Sequence, residues 1–329
     1  MSKFPENINS LKGKKVLVTG GAGFIGSNLV EALLSIGSQV FVLDNLATGR
    51  KSNLLEFETN PNFTFIEGDI CDFETCLKAT KGIDFVSHQG ALGSVPRSIE
   101  FPHNTHAVNA TGFLNMLHAC KENNVNRFVF ASSSSVYGDS TISPKKEGDE
   151  GNLLSPYAVT KQLNEEYAKV YNRLHQIETV GLRYFNVFGA KQDPNGVYAA
   201  AIPKFIDKMI KGEEIIINGD GEQTRDFTYV KNAVLANLLA LSTENKHAFG
   251  KTYNVACGDS FSLNFIIETI KGILESKERY NSACKITNGP DRNGDIRNSL
   301  ANISAISTDL GYNPRFTFQE GIEEYLKTF

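Results

Sequence analysis

With 329 residues, 41% of them hydrophobic and 21% charged, the chain can bury a large core and fits one large domain or two smaller ones. Its net charge of −4 offers no attraction to nucleic acid or to an anionic membrane surface. No apolar run approaches the ~18 residues of a membrane span, no apolar export segment opens the chain, and Cys71, Cys76, Cys120, Cys257 and Cys284 match no metal-ligand spacing. A soluble, cytoplasmic protein without a metal is expected.

The first structural signal is Lys15-Val16-Leu17-Val18-Thr19, an apolar, β-branched run that reads as a buried strand. Gly20-Gly21-Ala22-Gly23-Phe24-Ile25-Gly26 follows, and then Ser27 to Ile36, where Leu29, Val30, Leu33 and Leu34 have helical spacing. A glycine-rich loop between strand and helix is the setting in which free backbone amides cradle a pyrophosphate. Gly20 permits the tight turn, Gly23 lets backbone approach the ligand, and Gly26 lets the helix pack on the strand. A second strand, Gln39 to Leu43, ends at Asp44, about twenty residues beyond the loop, where a carboxylate would accept bonds from ribose hydroxyls and repel a 2′-phosphate. NAD is favoured on that ground. Arg50 and Lys51 keep NADP open, and Asp44-Asn45 also fits a plain strand-end turn.

Strand and helix signals then alternate: Phe63 to Glu67, Phe73 to Lys81, Asp84 to Gln89, His103 to Asn123, Arg127 to Ser132, Pro156 to His175 and Thr179 to Tyr184. Such alternation predicts an α/β fold, a doubly wound, Rossmann-type parallel sheet with helices on both faces. Gly68-Asp69-Ile70 closes the third strand and fits either a flank for an adenine or a turn. Beyond Tyr184 the pattern is irregular, punctuated by Gln192-Asp193-Pro194-Asn195-Gly196 and Asn218-Gly219-Asp220-Gly221, with shorter helices at Pro203 to Lys211 and Leu263 to Leu274. The predicted division is a nucleotide-binding part, residues 1–185 plus about 226–256, and a smaller mixed α/β C-terminal lobe, residues 186–225 and 257–329. The lobe would close over the strand ends, where ligands bind in open α/β sheets.

Ser155-Pro156 supplies an N-cap and a proline at the first helical position, so Tyr157 and Lys161 lie at i and i+4 on one helix face. A tyrosine of pKa ~10 is a poor base at neutral pH, and bringing it to about 7 takes roughly 4 kcal/mol of preferential phenolate stabilisation. A neighbouring ammonium and a positive nicotinamide ring are suited to that. Upstream, Ser132-Ser133-Ser134-Ser135-Val136-Tyr137-Gly138 sits at a strand's C-terminal end; it is either a polar loop or a source of hydroxyl donors for an oxyanion.

These segments, with Arg183-Tyr184-Phe185-Asn186-Val187-Phe188-Gly189, resemble the extended short-chain dehydrogenase/reductase family, specifically its nucleotide-sugar 4-epimerases. The segments His88 to Ser98, Gln192 to Gly196 and Asn218 to Glu222 further resemble the bacterial UDP-N-acetylglucosamine 4-epimerases. The resemblance implies that a Tyr157 phenolate removes the C4 hydroxyl proton while C4 gives hydride to NAD, and that the 4-keto sugar turns and takes the hydride back on its other face. It makes Lys161 the residue that tunes Tyr157 and holds the nicotinamide ribose, and Ser133 the partner of the C4 oxygen, with Ser134 and Ser135 contributing. It assigns to NAD Gly20, Gly23, Phe24, Ile25, Gly26, Asp44, Asn45, Asp69, Ile70, Gln89, Ala91 and Tyr184, besides Tyr157 and Lys161. It assigns to the UDP-sugar Gly93, Ser94, Ser133, Asn186, Ala200, Asn218, Arg225, Arg292, Asp295 and Ser299, arginine being suited to bidentate oxyanion contacts. Ser299 falls where a bulky tyrosine accompanies restriction to non-acetylated sugars, so a serine implies room for a 2-acetamido group. One departure is Lys231-Asn232, where the family has an acidic residue after Arg-Asp-Phe-x-Tyr-Val; it leaves the local helix start in doubt.

The resemblance also implies a homodimer through a four-helix bundle of His103 to Asn123 and Pro156 to His175, with Val108, Phe113, Leu117, Leu163, Tyr167 and Val170 extending beyond one face of each helix. Competing expectations are a UDP-uronic acid 4-epimerase, with Arg97 or another basic group meeting the carboxylate, a nucleotide-sugar dehydratase, and a non-catalytic NAD-binding protein. The dehydratase would need an acidic residue beside the catalytic serine, where this chain has Ser134.

Overall fold

The computed structural model describes residues 5–194, 200–290 and 297–328. Strands β1 (Lys15–Thr19), β2 (Gln39–Asp44) and β3 (Phe63–Glu67) run parallel outward from the centre of a sheet. On the other side of β1 come β4 (Phe85–His88), β5 (Arg127–Ser133) and β6 (Glu178–Tyr184), also parallel. The chain then leaves through β7 (Val187–Phe188), β8 (Ile215–Asn218), β9 (Thr224–Arg225) and β10 (Thr228–Tyr229), and returns with β11 (Lys251–Val255) beside β6. The seven-stranded order is β11-β6-β5-β4-β1-β2-β3. Winding direction reverses between β1 and β4, and a crevice opens at the carboxyl ends of those two strands.

Helices α1 (Phe24–Ile36), α2 (Phe73–Ala79), α3 (Val95–Glu100), α4 (Pro102–His106), α5 (Gly112–Glu122) and α6 (Pro156–His175) belong to this first half. After α7 (Ala201–Lys211) in the lobe, α8 (Val230–Ser242) packs back on the sheet. Successive side chains of a strand face opposite ways. Val16 and Val18 therefore join α1 and α8 in one core, while Leu17 joins α2, α5 and α6 in the other.

Three differences from the sequence expectation bear on the site. α1 begins at Phe24 rather than Ser27, with Gly23 extended as its N-cap and Ser27 N–H making a helical bond to Gly23 O at 3.0 Å. Only a residue without a Cβ fits inside that first turn, because a Cβ on Gly26 would stand 2.2 Å from Gly20 O. The helix expected over His103 to Asn123 contains a π turn at Ala107–Thr111 between α4 and α5. The wider turn brings buried Asn109 against the loop after β4, where Oδ1 accepts from Leu92 N–H at 2.7 Å and Nδ2 donates to Leu92 O at 3.2 Å. Lastly, α8 forms without any side-chain N-cap. A cap is worth about 1 kcal/mol, whereas each of its buried leucines, Leu235, Leu238, Leu239 and Leu241, contributes roughly 1.5–3 kcal/mol. Burial wins, and Asn232 is freed to bind Arg315 N–H, Phe316 N–H and Phe316 O at 2.9, 3.1 and 2.8 Å, tying down the C-terminal segment.

The lobe has its own core of Ile202, Ile206, Ile215, Ile217, Phe227, Ile266, Ile270, Phe318 and Ile322. Strand β12 (Phe261–Ser262) leads into α9 (Leu263–Ser276), β13 (Ile286–Gly289) pairs with β8, and β14 (Asn298–Ser299) pairs with β9. α10 (Ser304–Leu310) packs under β11 and α11 (Phe318–Tyr325) under β10. Among the described residues no helix is long and apolar enough to cross a membrane, and no group of three His, Cys, Asp or Glu could hold a metal ion.

Candidate active site

The crevice widens into a cleft of about 1390 Å³ that runs from the β2 end, along the sheet's carboxyl edge, to the lobe. That volume exceeds the ~300–1,000 Å³ of a site for one small ligand and suits a dinucleotide together with a second nucleotide.

One end is built on β1, β2 and the α1 N-terminus. Gly20, Gly23, Phe24, Ile25 and Gly26 all line the cleft. Gly20 has φ +64°, and a Cβ on it would meet Gly90 N at 2.7 Å, so the loops after β1 and β4 touch at the switch point. The first-turn amides of α1 face a floor without side chains, the geometry that receives a pyrophosphate. Asp44, at the β2 end, accepts from Ala22 N–H at 3.0 Å and Leu46 N–H at 2.8 Å, while burial pushes its pKa up. Asn45 donates to Asp69 Oδ2 at 2.9 Å, and Asp69 Oδ1 accepts from Cys71 N–H at 2.8 Å, placing both residues and Ile70 in the wall. Arg50 is engaged with Asp193.

Further along, Ala91, Gln89 and Tyr184 enter the wall. Tyr184 OH donates to Gln89 Oε1 at 3.1 Å and accepts from Asn237 Nδ2 at 2.7 Å, and Gln89 Nε2 donates to Asn237 Oδ1 at 3.0 Å. This closed ring fixes both side chains from behind. Next to it, buried His88 Nδ1 is hydrogen-bonded with Thr19 Oγ1 at 2.9 Å, and that hydroxyl accepts from Gly90 N–H at 3.1 Å. Burial, with Lys161 nearby, pushes His88 down to about 3, so it is neutral.

The centre of the cleft holds the reactive group. Ser155 caps α6 by accepting from Ala158 N–H at 3.2 Å. Half-buried Tyr157 then lines the cleft together with the serine segment, and Ser133 is the neighbour that favours its ionised form. Lys161 places Nζ 5.8 Å from the Tyr157 ring centre and donates to Ala131 O at 2.8 Å. Ser133 Oγ accepts from Ser135 N–H at 3.1 Å, and Ser134 and Ser135 line the cleft in the following turn. Strand alternation sends Ser132 the other way, where its hydroxyl donates to Glu165. Glu165 grips Arg183 through two bonds, Nε to Oε1 at 2.9 Å and Nη2 to Oε2 at 2.7 Å. This buried pair extends the Tyr157/Lys161 face by one more turn. Its signal lay in the same i, i+4 spacing, which sequence reasoning did not carry on to Glu165.

Burial raises the Tyr157 pKa, against the lowering effect of Ser133, and pushes Lys161 down to about 8, against Glu165. Both groups therefore resist charge in the chain alone.

At the lobe end, Gly93, Ser94, Asn186, Ala200, Arg225 and Ser299 line the cleft. Ser94 Oγ caps α3, accepting from Arg97 N–H at 3.2 Å. Arg225 Nη1 donates to Thr224 O at 2.8 Å, and Asn186 Nδ2 to Asp226 O at 2.9 Å. Asn218 is not in the wall: along β8 Ile215 and Ile217 turn into the lobe core, so Asn218 turns to solvent. Arg292 and Asp295 lie outside the described residues. Sequence reasoning gave no role to several others that do line the cleft, Lys145, Leu154 and Gln192 among them.

A parallel sheet with a switch-point cleft, a glycine-rich α1 start and a Ser133–Tyr157–Lys161 set defines an extended short-chain dehydrogenase/reductase. Residues 16–256 match the model of the NAD dependent epimerase/dehydratase family, and the chain belongs to that family. It is similar over 97% of its length, at 39% identity and TM-score 0.89, to the UDP-N-acetylglucosamine 4-epimerase from Methanobrevibacter ruminantium M1, solved in complex with UDP-N-acetylmuramic acid and covered over 98%. It is similar over 95%, at 32% identity and TM-score 0.84, to the UDP-glucuronic acid 4-epimerase from Bacillus cereus, covered over 98% and solved with UDP-glucuronic acid and NAD. The UDP-glucose 4-epimerase of Mycolicibacterium smegmatis is 33% identical over 317 residues, 96% of this chain and 98% of that one.

Proposed function

We propose that this chain interconverts UDP-N-acetylglucosamine and UDP-N-acetylgalactosamine at C4. The coarser activity, NAD-dependent C4 epimerisation of a UDP-sugar, follows from family membership and the Ser133–Tyr157–Lys161 geometry. Bound NAD would supply a hydride acceptor and donor and the positive charge of its nicotinamide ring. In our reading Tyr157 takes the C4 hydroxyl proton, Ser133 holds the C4 oxygen, and Lys161 favours the phenolate and binds ribose. Gly20, Gly23, Phe24, Ile25 and Gly26 would hold the pyrophosphate, Asp44, Asn45, Asp69 and Ile70 the adenosine, and Gln89, Ala91 and Tyr184 the nicotinamide end. Asn186, Ala200, Arg225, Gly93, Ser94 and Ser299 would surround the UDP-sugar. In this reading residues 1–185 plus about 226–256 hold NAD, and residues 186–225 with 257–329 hold the UDP-sugar together with Gly93, Ser94 and Ser133 from the first part.

The observation that carries the sugar assignment is Ser299, a small, half-buried side chain lining the lobe end of the cleft, which leaves room for a 2-acetamido group. A dehydratase is disfavoured because Asp44, Asp69 and Asp193 are the only carboxylates lining the cleft among the described residues, and none adjoins Ser133. A second reading, a UDP-uronic acid 4-epimerase, is favoured by Lys145. This lysine is 3% exposed, lines the cleft and, among the described residues, has a carbonyl partner, Ser140 O, but no carboxylate in ion-pair range. A coupled assay across UDP-N-acetylglucosamine, UDP-glucose and the corresponding uronic acids decides. The acetylated pair should turn over fastest; faster turnover of either acid would establish the second reading.

We also propose a homodimer through the outer face of α6. Phe113 and Leu117 are not available for it, being fully buried in the core of one chain. Val159, Val170 and Leu174, 37–70% exposed, form instead a stripe with Leu163 on α6. Sedimentation at micromolar concentration should show a dimer, and a pure monomer would refute it.

A further inference from the structure

Asp226 lines no part of the cleft and is completely buried, yet every hydrogen-bonding group it has is used. Its N–H donates to Ser299 O at 2.8 Å, and its carbonyl accepts from Asn186 Nδ2 at 2.9 Å. Carboxylate Oδ1 accepts from Cys257 N–H at 3.0 Å, and Oδ2 from Gly258 N–H at 3.0 Å and Ala301 N–H at 3.3 Å. Cys257 and Gly258 lie just past β11, the last strand of the large sheet, while Ala301 lies just past β14 in the lobe. One side chain thus joins the edge of the nucleotide-binding sheet to the strand pair that carries Arg225 and Ser299. A buried carboxylate is costly unless such donors meet it, so the position calls for an anionic acceptor rather than for any polar filler.

We infer that Asp226 is a positioning residue for the UDP-sugar: it sets Arg225 and Ser299, on the paired strands β9 and β14, at a fixed distance from the sheet that carries Ser133. The inference rests on the placement of Arg225 and Ser299 around substrate proposed above. The chemistry at Tyr157 and the NAD end do not pass through this joint. Loosening it should weaken the hold on the UDP-sugar and leave hydride and proton transfer alone, the pattern of a lost uniform binding interaction.

Asp226→Asn tests this, because the amide keeps the shape but turns an NH2 towards at least one backbone N–H that now has an acceptor. For whichever UDP-sugar the wild type turns over, KM should rise at least tenfold and kcat stay within threefold. The inhibition constant of UDP should rise in parallel, and NAD content should be unchanged. Asp226→Ser, which forces no donor against a donor, should show the same split and serves if the asparagine variant does not fold. A KM and UDP inhibition constant within twofold of wild type, a parallel collapse of kcat, or loss of NAD from both variants would overturn the inference. Failure of the sugar assignment would show separately, in the wild type's own substrate panel.

Discussion

Seven paired strands bring Gly20, Asp44, Gln89, Ser133 and Tyr184 to one edge of one sheet, whereas Arg225 and Ser299 reach the same cleft on strands of two residues each. On the sheet side, position is inherited from continuous ladders and from cores on both faces. On the lobe side it depends on single side-chain-to-backbone bonds such as those of Asp226 and Asn232. The contrast teaches where change is tolerated: substitution on the sheet side should remove cofactor or chemistry outright, and substitution on the lobe side should retune which sugar fits.

The sharpest test of the sheet side is Gly26→Ala. A Cβ there would sit 2.2 Å from Gly20 O, a backbone atom that cannot step aside without opening the loop. A cost of about 3 kcal/mol or more, the upper end of overpacking, corresponds to roughly 10²-fold or greater loss of NAD affinity. NAD titration of the purified variant should show that loss, and activity should vanish with it; normal affinity would mean that the loop is softer than the sheet behind it.

Tyr157→Phe separates chemistry from framework. It should lower turnover by at least ~10²-fold, the usual scale for a positioned acid–base group, while NAD content and thermal midpoint stay near wild type. Near-normal turnover would remove Tyr157 from the mechanism.

Ser299→Tyr probes the lobe side and should have the smallest effect. Steric overlap costing roughly 1–3 kcal/mol should cut kcat/KM for the acetylated pair by about tenfold or more and spare UDP-glucose. Equal activity on the acetylated pair would break the proposed difference between the halves, because the wall would then not sense the sugar.

Most of the nucleotide-binding half was legible in the sequence because its signals are local. A β-branched run, a glycine-rich loop and a periodic helix lie within about twenty residues, and Asp44 ends the next strand. The Tyr157/Lys161 pair was legible for the same reason, one helical turn fixing its spacing. The lobe was less so. Asn218 was expected at the site, but β8 alternation turns it outward. Lys145 and Asp226 acquire their surroundings from Leu300, Cys257, Gly258 and Ala301, which lie 31 to 155 residues away.

Helix α6 marks the boundary between what the sequence determined and what it did not. Its limits, its Ser155 cap and the shared face of Tyr157 and Lys161 follow from local chemistry alone. Which face is buried does not: Lys161, Asn164 and Glu165 lie inside, while Val159, Val170 and Leu174 lie exposed, the reverse of ordinary amphipathicity. Hydrophobic burial alone would have turned the helix over. The inward orientation holds because Arg183 on β6 and Ser132 on β5 meet Glu165, and the Ala131 carbonyl meets Lys161. Such partners exist only once the sheet has formed, since charges and donors distant in sequence must converge before burying them ceases to be costly.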